Sequence, residues 1–107
     1  MRTLAAIMFT DIAGYTALMQ KDEQRARWVR KIHRENFNTL TEKHQGQILQ
    51  YFGDGTLSIF QSAYQAVLCG VELQRAFRSD NSIPVRIGIH LGEIVYDQEE
   101  IIGDAVN

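Results

Sequence analysis

The feature that most constrains the fold is an Asp-Gly turn between two runs of strand-forming residues in mid-chain. The runs "QILQYF" and "TLSIF" flank Gly53-Asp54-Gly55. Asp-Gly between such runs is a strong hairpin signal, because both residues tolerate the backbone conformations of tight turns. The sequence therefore predicts a β-hairpin over residues 47–60, and the other segments must pack around it.

One strand and two helices are predicted before this hairpin. The segment 3–10 is short, apolar and stopped by Asp11, which is typical of a buried strand. Residues 14–20 predict a short helix, and Asp22 is a suitable N-cap for a long helix that runs to about His44. This long helix carries one apolar stripe, formed by Val29, Ile32, Phe37 and Leu40.

A third helix and further strands are predicted after the hairpin. Ser62 is the expected cap of the helix, whose apolar set is Ala63, Ala66, Val67, Gly70, Val71 and Phe77. Apolar residues then alternate with others from Val85 to Leu91, which is strand periodicity, and "IIGDAVN" begins a further element. The order β-α-α-β-β-α-β-β predicts an α+β sandwich in one domain over residues 1–107, with helices on one face of a mostly antiparallel sheet.

Composition excludes several classes of function. The net charge of −2 and pI of about 5.9 do not indicate a nucleic-acid partner, and Arg27, Arg30, Lys31 and Arg34 are interpreted as a solvated helix face. The longest apolar run, residues 4–9, is too short to span a bilayer. The single cysteine, Cys69, cannot form an internal disulfide. We therefore expect a cytoplasmic domain without a membrane segment.

Two acids stand where the predicted elements meet. Asp11 ends the first strand and Asp54 occupies the hairpin turn, and each alone is most often a turn or cap residue. In a split β-α-β-β arrangement, however, these two positions lie side by side. Converging carboxylates repel each other unless a cation joins them, and hard oxygen ligands suit Mg²⁺ or Mn²⁺. The glycine of "DIAGYT" adds a turn at a helix N-terminus, where backbone N–H groups attract anions.

Four segments in this order resemble the class III adenylate/guanylate cyclase catalytic domain: "FTDIAGYT", "YFGDG", "VRIGIHLGEIV" and "IIGDAVN". The resemblance spans nearly the whole chain, and the four matches together are specific although each alone is not. It implies a ferredoxin-like domain that forms a head-to-tail homodimer. It also implies two Mg²⁺ or Mn²⁺ ions per site, with the ribose 3′-oxygen attacking the α-phosphate to give a cyclic nucleotide and pyrophosphate.

The resemblance assigns metal and phosphate roles near the first strand and the hairpin. Asp11 and Asp54 match the metal aspartates, and Ile12 would add its backbone carbonyl to one ion. The residues expected to present N–H groups to the nucleotide phosphates are Gly14, Tyr15 and Thr16.

The remaining assignments concern the ribose and the purine. Asn107 matches the asparagine that positions the ribose, while Gln50 and Glu100 stand where adenylate cyclases usually carry a lysine and an aspartate or threonine. An amide and a carboxylate can serve adenine or guanine, so ATP is the expected substrate and GTP remains open. The family's transition-state arginine follows the asparagine, so the domain is interpreted as incomplete at its C-terminal side, and little turnover is expected from this stretch alone.

Two other functions remain open at this point. The first alternative, ranked behind the cyclase, is a cyclase homology module that binds nucleotide or a partner without turnover, which the altered purine positions favour and the retained acids disfavour. A palm-like transferase such as a diguanylate cyclase shares the sheet and acids, but its "GGDEF"-like hairpin is replaced here by "FGDGT".

Overall fold

The computed structural model describes residues 2–79, 83–96 and 101–103. Strands and helices follow one another in the predicted order β-α-α-β-β-α-β-β. Their bounds are β1 Arg2–Ile12, α1 Tyr15–Lys21, α2 Glu23–Lys43, β2 Gln47–Tyr51, β3 Gly55–Phe60, α3 Ala63–Ser79, β4 Val85–Tyr96 and β5 Ile101–Gly103. The predicted turns at residues 80–82 and 97–100 lie outside the described residues.

The strands form one sheet in the order β2-β3-β1-β4-β5, and every pairing among the described residues is antiparallel. The predicted hairpin exists as β2 and β3, and β3 lies between β2 and β1. Strand β1 therefore reaches β2 through a helical crossover with β3 inserted, which is the split β-α-β arrangement of ferredoxin-like folds. The predicted α+β sandwich is confirmed.

The helices begin at the residues that the sequence predicts. Asp22 caps α2 by accepting a hydrogen bond from the Arg25 N–H at 3.0 Å, and Ser62 caps α3 by accepting from the Gln65 N–H at 3.1 Å. Gly14 precedes α1 with φ 73°, a left-handed conformation that disfavours side chains. No helix within the described ranges is long and apolar enough to cross a bilayer.

The helices pack against one face of the sheet, including β1, β3 and β4, to form the main hydrophobic core. Alternate residues of β1, namely Ala6, Met8 and Ile12, pack against the helices on what we call the covered face of the sheet. The largest buried side chains of this core are Phe37, Phe60 and Phe77. Full burial of three phenylalanines makes this face the principal source of hydrophobic stabilisation.

The predicted apolar set of α3 was wrong in part. Val67 and Val71 are 50% and 43% exposed, although their spacing matches that of the core residues. The residues that face the sheet are Ala66, Cys69, Gly70, Leu73 and Phe77. The helix is thus rotated about its axis relative to the prediction, and its two valines lie beside Ile89 in a surface groove next to β4.

Basic residues of α2 mostly pair within the domain. Arg27 bonds to Glu23 at 2.6 Å, and Lys31 lies 4.0 Å from Glu35. Arg34 donates to the Phe52 carbonyl at 3.0 Å, so it ties the helix to the turn that carries Asp54. These pairings fit the predicted solvated face.

The other face of the sheet, which we call the open face, carries a second apolar cluster. Its buried members are Ala5, Ile7, Leu57, Ile59 and Ile94. All of them belong to strands, and none of the described helices contributes to the cluster. Asp11 lies on this same face, because it is an even number of residues from Ala5 and Ile7 along β1.

Candidate active site

Strand register brings the two predicted metal acids together. Asp11 pairs directly with Gly55, the residue that follows Asp54. The Ile12 N–H donates to the Asp54 carbonyl at 3.1 Å, so the backbones of the two acid segments are hydrogen-bonded to each other. Two residues separated by more than forty positions in sequence thus lie next to each other at one end of the interior strands β1 and β3.

A glycine makes this close approach possible. A Cβ atom at Gly55 would lie 2.6 Å from the Thr10 carbonyl oxygen and 3.6 Å from the Asp11 Cβ. The first distance is shorter than any unstrained contact, and the backbone atom it meets cannot swing aside. Gly55 is therefore required so that β3 can approach the end of β1.

Asp11 and Asp54 line one cavity of about 530 Å³ at the end of the open face. Phe9, Arg86 and Gly88 contribute to the same cavity. The open space above Gly88, where a Cβ would meet nothing within 4 Å, leaves room for a ligand beside the acids.

Arg86 is a candidate site residue that the sequence motifs do not indicate. It pairs with Asp11 in the β1–β4 register, and its guanidinium donates from Nε to Oδ1 at 2.7 Å and from Nη2 to Oδ2 at 3.0 Å. These hydrogen bonds to Asp11 raise the pKa of Arg86. Both side chains are substantially exposed, so the pair contributes little stability, but it places a planar donor fork suited to carboxylates and phosphates at the cavity.

A buried polar group lies behind the acids, on the covered face. The Thr10 hydroxyl is 3.1 Å from His33 Nε2 and 2.5 Å from the Thr56 hydroxyl. Burial lowers the pKa of His33 to about 4, against the opposing charges of Asp54 and Asp11, so the imidazole is neutral at pH 7. The sequence does not predict this group, because nothing near Thr10 indicates that a threonine at the end of a strand will contact a histidine of α2.

The predicted phosphate-binding residues begin α1 close to β1. Gly14 holds the left-handed turn, and its carbonyl accepts from the Leu18 N–H at 3.0 Å. The Tyr15 side chain is buried in the core, so only its backbone N–H is available to an anion, whereas Thr16 is exposed. The first N–H groups of a helix lack intrahelical acceptors.

Among the other predicted site residues that the structure describes, Gln50 lies away from the acids and Ile12 adjoins them. Gln50 is exposed on β2, where it pairs with Leu57, and it does not line the cavity that contains Asp11 and Asp54. Ile12 adjoins the acids through its backbone, while its side chain is buried in the core. Glu100 and Asn107 lie outside the described residues.

The donor set fits a hard divalent cation. Within the ranges that the structure describes, no third His, Cys, Asp or Glu joins the two acids in a cluster. Zinc and other soft-ligand metals usually need such a set, whereas Mg²⁺ takes one or two carboxylates and fills its remaining positions with water and substrate phosphates. A metal bound here would leave positions for a polyphosphate ligand.

Two known proteins are similar in sequence to nearly the whole of this chain. The chain is 37% identical over 119 aligned residues to putative adenylate cyclase 3 of Rhizobium meliloti (strain 1021), covering 99% of this chain and 19% of that protein. It is 32% identical over 107 residues to the serine/threonine-protein kinase pkn2 of Myxococcus xanthus, covering 92% of this chain and 13% of that protein. The chain thus spans less than a fifth of the length of these two relatives.

Solved structures show the same fold. An adenylate/guanylate cyclase/hydrolase from Silicibacter pomeroyi is 35% identical, with a TM-score of 0.77 over 99% of this chain and 66% of that one. An adenylate cyclase of Trypanosoma brucei, at 19% identity, superposes with a TM-score of 0.83 over 94% of this chain and 63% of that one. Residues 3–105 match the family described as the adenylate and guanylate cyclase catalytic domain. The chain belongs to this family of cyclase catalytic domains.

Proposed function

We propose that the intact domain converts ATP to 3′,5′-cyclic AMP and pyrophosphate at a site that holds two Mg²⁺ or Mn²⁺ ions. The carboxylates of Asp11 and Asp54 would bind the ions, together with the Ile12 carbonyl. The observation that carries this proposal is the convergence of both acids on one cavity, joined by the hydrogen bond from Ile12 to Asp54.

The chain's own residues would bind and orient the nucleotide. Backbone N–H groups of Gly14, Tyr15 and Thr16 would donate to phosphate oxygens, and Asn107 would orient the ribose. When bound, the divalent ions would neutralise phosphate charge and make the 3′-oxygen a better nucleophile. The acids would then act as ligands only, so the site needs no nucleophilic side chain.

Gln50 and Glu100 would contact the purine. We propose that this requires a head-to-tail homodimer, formed with a second copy of this chain. The position of Gln50 supports this arrangement, because it lies on β2 outside the cavity of the acids in its own chain. A partner protomer would then bring its Gln50 to the nucleotide. An amide and a carboxylate can together pair with adenine, and because they can also pair with guanine, GTP is the competing substrate.

Product analysis with ATP and GTP side by side tests this function. The assay uses the full-length protein and Mn²⁺. Asp11→Asn and Asp54→Asn should each abolish turnover, whereas Glu42→Gln, which removes an exposed acid of α2, should leave it unchanged. Cyclic AMP formation that survives both aspartate substitutions would contradict the proposal, and a linear or dimeric dinucleotide product would indicate a palm-like transferase.

A catalytically silent nucleotide-binding module is the second candidate. The ion pair between Arg86 and Asp11 favours it, because a guanidinium already neutralises one of the acids. Nucleotide binding by calorimetry without any product, in wild type and in Arg86→Gln alike, would establish this alternative. Turnover in the wild-type protein would exclude it.

A further inference from the structure

Three buried polar side chains lie directly behind the acids, which we call the Thr10–His33–Thr56 triad. Thr10 and Thr56 are 5% and 1% exposed, and His33 is 1% exposed. The Thr10 hydroxyl lies between the other two groups, at 3.1 Å from His33 Nε2 and 2.5 Å from Thr56 Oγ1. Polar groups in an apolar core are costly unless they are hydrogen-bonded, so these three depend on one another.

The triad joins three elements at the point where the acids lie. Thr10 is the residue before Asp11 on β1, and Thr56 is separated from Asp54 only by Gly55. These two threonines pair across the β1–β3 ladder, one step from the pairing of Asp11 with Gly55. Each side chain therefore points to the covered face while its neighbouring acid segment forms the cavity on the open face.

His33 is held in place from α2. Its ring stacks against Phe77 with centroids 5.6 Å apart and against Phe37 with centroids 6.3 Å apart. Both phenylalanines are buried in the main core. The imidazole thus has little freedom to move, and it fixes the position of the Thr10 hydroxyl relative to the helix layer.

We propose that the Thr10–His33–Thr56 triad is a positioning device that sets the separation of the Asp11 and Asp54 backbones, and thereby the affinity of this site for divalent ions. Thr10 and Thr56 border the cavity that contains the acids, but the Thr10 hydroxyl is engaged with His33 and Thr56, so the triad acts through the acid-bearing backbones. The proposed effect of the triad on metal binding rests on the proposed function. Its proposed effect on the backbone is independent of that function, because it concerns the observed hydrogen bond from the Ile12 N–H to the Asp54 carbonyl.

Substitution of Thr10 by valine tests the backbone effect. Valine keeps the shape of threonine but removes the hydroxyl, and Thr41→Val is the matched control because Thr41 is equally buried in the same core, on α2, away from the acids. We expect Thr10→Val to speed hydrogen exchange at the Ile12 amide about two- to tenfold relative to Ile7 in the middle of β1. Thr10→Ser keeps the hydroxyl and should restore the wild-type rate.

Mn²⁺ titration tests the effect on the metal. Thr10→Val and Thr56→Val should each raise the Mn²⁺ concentration for half-maximal binding about tenfold, as outer partners of metal ligands do. Maximal turnover at saturating Mn²⁺ should be retained, because no ligand is lost. A loss of thermal stability alone, without this shift, is what a merely structural role would produce.

The outcomes separate this proposal from the proposed function. Equal changes in Thr41→Val, or an unchanged Ile12 exchange rate in Thr10→Val, would overturn the positioning role. An altered Ile12 rate with unaltered Mn²⁺ affinity would overturn the link to metal binding. If the exchange result holds but wild-type protein binds no Mn²⁺, the metal site itself fails, and the positioning of the two backbones stands.

Discussion

The two faces of the sheet differ in what they contribute, although β1 supplies both. Its residues Ala6, Met8 and Ile12 pack into the core with the helices, whereas Ala5, Ile7 and Asp11 lie on the open face. The covered face holds the fold together through fully buried aromatic side chains. The open face ends in two acids and a guanidinium that contribute little to stability. Because successive side chains of β1 point to opposite faces, core residues and candidate site residues are neighbours in sequence on this strand.

Buried core residues and exposed site residues come closest together at the end of β1. Thr10 is buried and hydrogen-bonded within the core, and the next residue, Asp11, is partly exposed and paired with Arg86. Substitutions on the two sides should therefore have different signatures. Truncation of the core aromatics should alter the free energy of unfolding, whereas changes to the exposed charged groups at the end of the open face should alter ligand binding at constant stability.

The largest effect is expected for Phe37→Ala on the covered face. Removal of a fully buried phenylalanine should lower the free energy of unfolding by about 3–5 kcal/mol, because it leaves a cavity that the core cannot fill. Denaturant titration measures the change. Trp28→Ala, at a partly exposed aromatic of the same helix, is the control and should cost about 1 kcal/mol or less. Equal losses would contradict the division of roles.

The next effect is a pH dependence that originates on the covered face. Burial lowers the pKa of His33 from 6.5 to about 4, so below pH 6.5 the unfolded chain takes up a proton that the folded chain refuses. Stability should be complete above pH 6.5 and should fall by up to about 3 kcal/mol as the pH drops to 4.

Thermal or denaturant unfolding across this pH range provides the measurement. His33→Gln should flatten the decline between pH 6.5 and 5, and His90→Gln, which removes an exposed imidazole from the open face, is the matched control. A decline of unchanged steepness in His33→Gln would show that other groups cause it.

A smaller effect should appear in Gly55→Ala, which acts on both faces at once. The new Cβ must displace the Thr10 carbonyl, and this should cost about 1–3 kcal/mol of stability and weaken Mn²⁺ binding together. Gly53→Ala in the same turn is the control, because a Cβ there meets nothing within 4 Å. Calorimetry of Mn²⁺ binding and denaturant titration would measure the two effects, and a harmless Gly55→Ala would refute the close approach.

The smallest effect is expected for Arg86→Gln on the open face. Because the guanidinium competes with a cation for Asp11, its removal should tighten the binding of free Mn²⁺ by a factor of about two to five, the range typical of exposed ion pairs. Stability should not change measurably. Titration with Mn²⁺ in the absence of nucleotide gives the result, and weaker binding would show that Arg86 supports the acids rather than competing with a cation.

Local patterns in the sequence predict the elements better than their contacts. The Asp-Gly turn predicts the hairpin, and Asp22 and Ser62 predict where α2 and α3 begin, because a turn or a cap depends on neighbours within a few residues. The burial of α3 was predicted incorrectly at Val67 and Val71, since two adjacent stripes of that helix are apolar and only packing selects one.

The candidate site was predictable only in part for the same reason. Asp11 and Asp54 could be proposed from their motifs, but Arg86 meets Asp11 across 75 residues of sequence, and only the register of β4 against β1 brings them together. His33 meets Thr10 across 23 residues, and its spacing alone indicates no ligand or partner. Contacts of this kind are properties of the assembled sheet and not of any segment.

The two acids differ in how firmly their backbones are anchored. Asp11 belongs to a strand that is paired along both edges, to Gly55 on one side and to Arg86 on the other. Asp54 lies in the short connection between β2 and β3, where the backbone is paired less extensively. If the two acids bind ions as proposed, residues 52–54 would consequently be the place at which substitutions could change the accepted ionic radius, from Mg²⁺ toward larger ions, without disrupting the pairing of β1 in the sheet.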